Sequence, residues 1–449
     1  MILIAILLFS FASYIVVDNN IALGNIVLKS ILSLYFALTI LSFCYLIVLT
    51  LGINFTLFEI LFLLFPLLYL LAYYQKTKKI KINFDIIKSQ SFFVLLIILV
   101  LLSVFSFHFF DASIRWGGWD AWAIWTSHAK VLTSETYFTN LFTDKISWTH
   151  PDYPLFLPAN IAIIWKSIGI HSAFVPAVFA YLTAVALVLL VISSFLEKKL
   201  VVIGLLLFFS ITYYDVLFPF VISQYADTTL ALFMLIPFVL LQHLQKQSGL
   251  KVLMLIGFFA AACAWVKNEG IMFFVIFSLA FFIKYYRNFK FLTHFILGAL
   301  LPLSFLIFFK VNFAPTNDLM DSTLKEQILK IGNFENYKTI CDYAYTFITE
   351  HCKLLYISLI AILFINYKYF YSFCFLIILG LLTAYFFVYV TTPYEIMWHL
   401  TTSLDRLIHQ VTPVLLYSVF MAFAEKWKIV NETFSIKKWK VFSKTNSLD

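Results

Sequence analysis

The sequence predicts an all-α, polytopic transmembrane helical bundle, and three observations predict it. Hydrophobic residues make up 63% of the 449-residue chain and charged residues only 12%, with a mean hydropathy of +0.95. A soluble domain carries about 45–50% apolar and about 25% charged residues. The apolar residues fall in runs, most of them near the roughly 20 residues a membrane helix needs. Lys and Arg gather in short turns between those runs and in the C-terminal tail, as membrane topology demands. The net charge of +8 therefore reads as topology determinants touching anionic lipid, not as a nucleic-acid footprint.

Taken in order, apolar runs at 2–17, 26–51 and 54–74 predict three helices. The first lacks a basic leader and a small-residue cleavage site, so it reads as a retained helix. Lys76, Lys78, Lys79, Lys81 and Lys88 then mark the cytoplasmic side. The run 91–110 leaves that side and delivers residues 111–155 to the outer face. Residues 155–168 are too short to span and suit a half-inserted helix with Pro154 at its first position. The run 172–196 goes in to Glu197, Lys198 and Lys199, and 200–217 returns. The run 227–243 goes in, 250–266 out, 271–286 in and 291–313 out. A polar outer segment follows at 314–345, then spans at 346–365, 369–390 and 404–424, and a Lys-rich cytoplasmic tail.

This register gives about 13 spans with an outside N-terminus. Three regions follow: N-terminal helices and a basic linker over 1–90, a membrane core over 91–425 with the outer loop 111–155, and a tail over 426–449. No internal repeat or linker divides the core. The five cysteines have no metal-ligand spacing. A helix between Cys341 and Cys352 would hold them roughly 16 Å apart, which argues against a disulfide.

The polar clusters all fall on the outer face, which suggests a shared aqueous cavity there. Residues 115–158 hold Trp116, Trp119, Trp122, Trp125 and Trp148 around Asp120. Such a segment cannot sit in hydrocarbon unless it is buried in protein or lines a wet cavity. Asp120 follows Gly117 and Gly118 at a probable helix start, so it is either an N-cap or a general base whose pKa indole walls would raise. Trp119 and Trp122 fit an interfacial belt or a stacking face for a sugar ring. His150, Asp152 and Tyr153 lie in His-Pro-Asp-Tyr-Pro. Asp152 is either an Asx-turn residue or a second carboxylate on the cavity, where with His150 it makes a weak divalent-cation signal.

Asp227 and Tyr225 sit in Gln-Tyr-Ala-Asp at the start of an inward helix, where capping competes with a cavity role. Lys267, Asn268 and Glu269 interrupt two apolar runs. They form either a self-paired turn or a site where Lys267 meets a phosphate while Asn268 and Glu269 bond a sugar or acceptor. Arg406, at the outer start of the last helix, runs against the charge rule and needs a partner. Asp405, another acid or a lipid-linked phosphate at a helix N-terminus would serve.

These features together, the acid in the first large outer loop, the proline-bracketed motif before a half-inserted helix, Tyr-Ala-Asp and Trp265-x-Lys-Asn-Glu-Gly270, resemble the GT-C superfamily of membrane glycosyltransferases. The chain is similar to the branch containing protein O-mannosyltransferases and the aminoarabinose transferases of lipid A. The resemblance covers roughly residues 91–290 and the Arg406 helix. It implies transfer of a sugar, with inversion, from a polyprenyl-phosphate donor to a hydroxyl on a lipid, glycan or protein, at the outer face of a bacterial cytoplasmic membrane. Asp120 would be the base, Lys267 and Arg406 would hold the donor phosphate, and Asp152, Tyr225 and Glu269 would line the acceptor side. The chain departs from the pattern in its three preceding helices and in an Asp120 that lacks an acidic neighbour. A carrier or flippase of lipid-linked saccharide and a surface-polysaccharide polymerase or ligase are the rival readings.

Overall fold

In a computed structural model of the chain, residues 1–20, 26–78, 92–196, 217–246, 249–317, 323–351 and 372–445 are described, with a few single residues between. These residues form helices and no strand. The helices are α1 (Ile2–Asn20), α2 (Ile26–Leu51), α3 (Phe55–Thr77), α4 (Phe92–Ala112), α5 (Ser127–Leu132), α6 (Phe156–Ile168), α7 (Phe174–Leu196) and α8 (Leu217–Ile222). They continue as α9 (Ala226–Lys246), α10 (Leu250–Val266), α11 (Glu269–Tyr285), α12 (Phe289–Asn312), α13 (Leu324–Ile331), α14 (Phe334–His351), α15 (Phe373–Thr391) and α16 (Ile396–Thr445). Among the described residues six helices are long and apolar enough to cross a membrane: α1, α2, α3, α7, α12 and α15. Stretches of α4, α6, α9 and α10 are apolar but shorter.

The helix ends follow the sequence closely and depart from it where caps decide. The short α6 begins at Phe156, not at Pro154, so Pro158 lies in its first turn, where no backbone donor is needed. The last helix starts at Ile396, well before 404. The Glu395 carboxylate accepts from the amides of Met397 and Trp398 and so caps it there. It also runs on as helix through Thr445, across the residues expected to be a separate tail. The polar segment after α12 folds into α13, closed by a Thr323–Glu326 capping box, and α14, which absorbs the start of the expected span at 346. The expected span at 200–217, most of the basic linker after Lys78, the Glu197–Lys199 turn and Cys352 lie outside the described residues.

The core is built around α9 and α10, which pack on each other, with α7 and α16 against α9 and α12 against α10. Every residue of α10 from Ile256 to Val266 is buried. Two glycines set the α10–α12 crossing: a Cβ on Gly257 would meet the Phe295 carbonyl at 2.0 Å and one on Gly298 the Met254 carbonyl at 1.9 Å. With no Cβ at either point the backbones touch, which is how membrane helices gain dispersion contact without a hydrophobic drive.

The N-terminal helices share this core. The Tyr35 hydroxyl lies 3.0 Å from Thr183 on α7, Tyr45 donates to the Leu132 carbonyl at 2.6 Å, and the Trp265 indole donates to Ser42 at 2.9 Å. Asn160 of α6 reaches the Leu38 carbonyl of α2. Side-chain bonds of this kind tie apolar helices together where the alternative is an unsatisfied polar group.

Placing a methyl at Gly298 should force these backbones apart. Gly298→Ala is expected to lose about 1–3 kcal/mol, read as a lower midpoint of thermal unfolding in detergent; an unchanged midpoint would show that the crossing is looser than described.

Candidate active site

Residues 113–120 are shaped by their contact with the corner between α8 and α9. Gly117 has φ +77°, and the Gly118 amide donates to the Ser223 carbonyl at 2.9 Å. A Cβ on Gly118 would stand 2.6 Å from the Tyr225 hydroxyl, so only glycine lets the loop lie on that ring. From the other side, Gln224, itself at φ +59°, donates to the Ile114 carbonyl at 2.6 Å.

The chain then enters a π-helical turn over Ala121–Thr126, a form frequent at functional sites. Asp120 has helical dihedrals and makes no capping bond. Its carboxylate instead accepts from the Arg406 guanidinium. Of the two sequence readings of Asp120, the N-cap is therefore set aside.

Arg406 lies about three turns inside α16, so the helix N-terminus expected beside it is not there. What meets Arg406 is a row of acids. Its Nη2 holds Asp120 and its Nε approaches Asp227 Oδ2 at 3.4 Å. The Tyr225 ring lies 5.4 Å from the guanidinium carbon, within cation–π range. Asp227, fully buried, also accepts from Lys267 at 2.9 Å and from Gln410. Lys267 in turn lies 2.8 Å from Glu269 Oε1.

One chain of ion pairs thus runs Asp120–Arg406–Asp227–Lys267–Glu269, drawn from four separate stretches of sequence. It holds three acids and two bases. Lys267 is 1% exposed and already shared between two carboxylates, whereas Arg406 keeps 16% of its side chain exposed and, among the described residues, makes its side-chain bonds through Nε and Nη2 alone. Glu269 Oε2 is buried and unpartnered. Of the sequence readings of Lys267 and Glu269, the self-paired turn is observed, and the pair belongs to a larger network.

A second cluster abuts the first. Asp152 is buried and accepts from Asn268 at 2.7 Å and Asn317 at 2.8 Å. Lys310 lies 3.6 Å from the same carboxylate and donates to the Asp152 carbonyl at 2.7 Å and to Asn268 at 2.9 Å. Asn268 therefore bridges the two clusters through its neighbours Lys267 and Glu269. Tyr153 stacks between Trp125 at 5.6 Å and His150 at 5.0 Å, with Lys267 5.9 Å from its ring.

His150 is thus a ring partner of Tyr153, and the Asp152 carboxylate it was paired with in the sequence reading faces amides and Lys310. Among the described residues no group of three His, Cys, Asp or Glu side chains is placed to hold a metal ion. Nearby, burial with His150 close at hand lowers His128 to about 3, so it is neutral at pH 7 and braces the loop through Thr149 at 3.2 Å.

Trp119 and Trp122 stay outside this interior: they are 48% and 46% exposed, edge to face at 6.2 Å, with Trp148 against Trp119. They form an aromatic apron at the mouth beside Asp120. The sequence reading missed Gln410, Lys310 and Asn317. Lys310 carried a signal, a lone cation closing an otherwise apolar run. Gln410 lies one helical turn after Arg406 and was legible only once Arg406 had a partner to share.

No family model matches the sequence, and neither curated proteins nor solved structures give a significant match.

Removing the central acid should expose the cost of burying the rest. Asp227→Asn leaves Lys267 and Arg406 short of a counter-charge, and about 3–5 kcal/mol of stability is expected to go. Adding Lys267→Met should restore part of the thermal midpoint in the same detergent; a double variant no better than the single one would contradict the pairing.

Proposed function

We propose that the protein is a membrane glycosyltransferase of the GT-C kind. It transfers a sugar from a polyprenyl-phosphate donor to a hydroxyl acceptor at the outer face of a bacterial cytoplasmic membrane, on a bundle of about 13 spans. One observation carries this reading: the tryptophan-flanked acid of the first large loop and the arginine of the last helix are in direct contact, although 286 positions apart. A carboxylate, an arginine with unused donors and an aromatic rim at one mouth make the minimum set for moving a sugar off a phosphate.

In the reaction, the acceptor hydroxyl attacks the anomeric carbon as the bond from that carbon to the phosphate oxygen breaks. The hydroxyl proton passes to Asp120 and the lipid phosphate leaves with the bonding pair, so the anomeric carbon inverts. The phosphate oxygens compete with Asp120 for Arg406, whose fork suits phosphate as well as carboxylate. Donor binding thereby frees Asp120 to accept a proton when the substrate is in place.

Lys267 takes a different part from the one its sequence motif suggests. Buried between two carboxylates, it fixes Asp227 and Glu269, and Asp227 in turn fixes Arg406. Trp119 and Trp122 supply flat faces for sugar rings, and Tyr225, Asp152 and Glu269 border the acceptor side.

The test uses purified protein in nanodiscs with radiolabelled polyprenyl-phosphate sugar. Consumption of donor without a membrane gradient separates an enzyme from a carrier. Asp120→Asn is expected to lower transfer by about 10²–10⁴-fold with donor binding retained; wild-type turnover in that variant would reject the assignment.

A further inference from the structure

The polar segment between α12 and α15 holds two helices of opposite sidedness. The longer, α14, is ordinary: Lys338, Asp342 and Thr346, with Tyr345, are exposed, while Ile340, Tyr343, Ala344 and Phe347 pack against the core. The shorter, α13, is inverted. Its Ile328, Leu329 and Ile331 are 66%, 65% and 45% exposed, and Phe334, just past the turn, is 85% exposed. Among its described side chains the half-buried ones are the polar Gln327 and Lys330.

This pose is tied down at both ends, so the apolar face is not exposed by fraying. The Thr323–Glu326 capping box closes the start of α13. At its end the Ile331 carbonyl accepts from the Tyr337 hydroxyl at 2.9 Å, and the Lys330 carbonyl accepts from Asn336 at 3.4 Å. Tyr337 packs on Phe386 of α15 at 5.8 Å, and Lys330 Nζ donates to the Thr392 carbonyl. Thr392 stands at the corner between α15 and α16, so α13 lies level with the end of an apolar span. At the same polar end of the bundle α12 stops, its Lys310 reaching Asp152. Val311 beside that lysine and Phe387 near the end of α15 are exposed too, so the apolar surface of α13 continues that of the flanking spans.

We infer that α13 is an interfacial helix, its outward face seated in the boundary between the headgroups and acyl chains of the surrounding bilayer. Ile328 and Ile331, one turn apart, and Phe334 enter the acyl side. Lys325 is exposed one turn before Ile328 and meets the phosphates of anionic lipid. Glu326, the acid that would oppose this contact, is turned back to the Thr323 amide. An apolar face with basic residues at its border is what that boundary binds. Facing water, α13 would be upside down, because a helix on a globular surface puts its apolar stripe inward. Water is left to α14. Through Lys330 and Thr392 the bilayer then fixes the depth of the corner from which the Arg406 helix starts.

The inference needs the membrane but not the glycosyltransferase reading, and its test does not use turnover. The full-length protein is placed in nanodiscs of phosphatidylethanolamine and phosphatidylglycerol. Exposed Cys341 is removed as Cys341→Ser, and a nitroxide is attached at Ile328→Cys or at Thr346→Cys, with the parent alone as background. Oxygen, which concentrates in lipid, is expected to relax the label at 328 more than a water-soluble nickel chelate does, with the order reversed at 346. Nickel preference at 328 would place α13 in water, and shielding from both reagents would place it against a second protein surface. Either result, or oxygen preference at both positions, overturns the inference. The unmodified protein supplies a readout free of substitutions. A phospholipid with a diazirine just below its glycerol should leave adducts on 328–334 and none on 338–342; adducts missing from the first stretch, or equal on both, would overturn it as well.

Discussion

Everything at the polar end of this bundle depends on Asp227. A carboxylate with no exposure to solvent is sustained only by cations and donors brought to it, and here they come from different helices: Lys267 closes α10, while Arg406 and Gln410 project from α16. Asp227 itself opens α9. Three helices are therefore tied together at their polar ends by a single buried side chain. Apolar helices in lipid slide at little cost, and buried ion pairs do not, because each displaced charge faces hydrocarbon alone.

The same arrangement would give the proposed chemistry its order. Arg406 is divided between a fully buried acid, Asp227, and Asp120, which is 9% exposed. An anion entering from the mouth meets the guanidinium on the Asp120 side, since the Asp227 side is closed. Lys267 differs in being buried itself, at 1% exposure, between the buried Asp227 and Glu269, which is 22% exposed.

Much of this was legible in the sequence because hydrocarbon enforces a simple code. Runs of membrane length gave α2, α10 and α12 nearly to the residue, and polar residues placed against that code, Asp120, Lys267 and Arg406, are the ones that meet. Less legible was anything decided by capping or by side-chain partners. Arg406 looked like a helix-start residue because Ile396–Ser403 is polar enough to pass for loop, and only the Glu395 cap shows the helix beginning earlier. Asp120 and Asp227 looked like caps because acids at helix starts usually are. In both, a buried cation outbid the backbone amides, and no local pattern reveals a partner more than a hundred residues away.

The glycine seam between α10 and α12 has a mechanical meaning. Two helices whose backbones touch at Gly257 and Gly298 cannot slip without collision, so they act as a stator. Both lysines of the polar end ride on that fixed part, Lys267 at the last turn of α10 and Lys310 at the last turn of α12. If a lipid headgroup enters as the proposed function requires, the part left to move would be the tryptophan loop, which neither the glycine seam nor Asp227 holds.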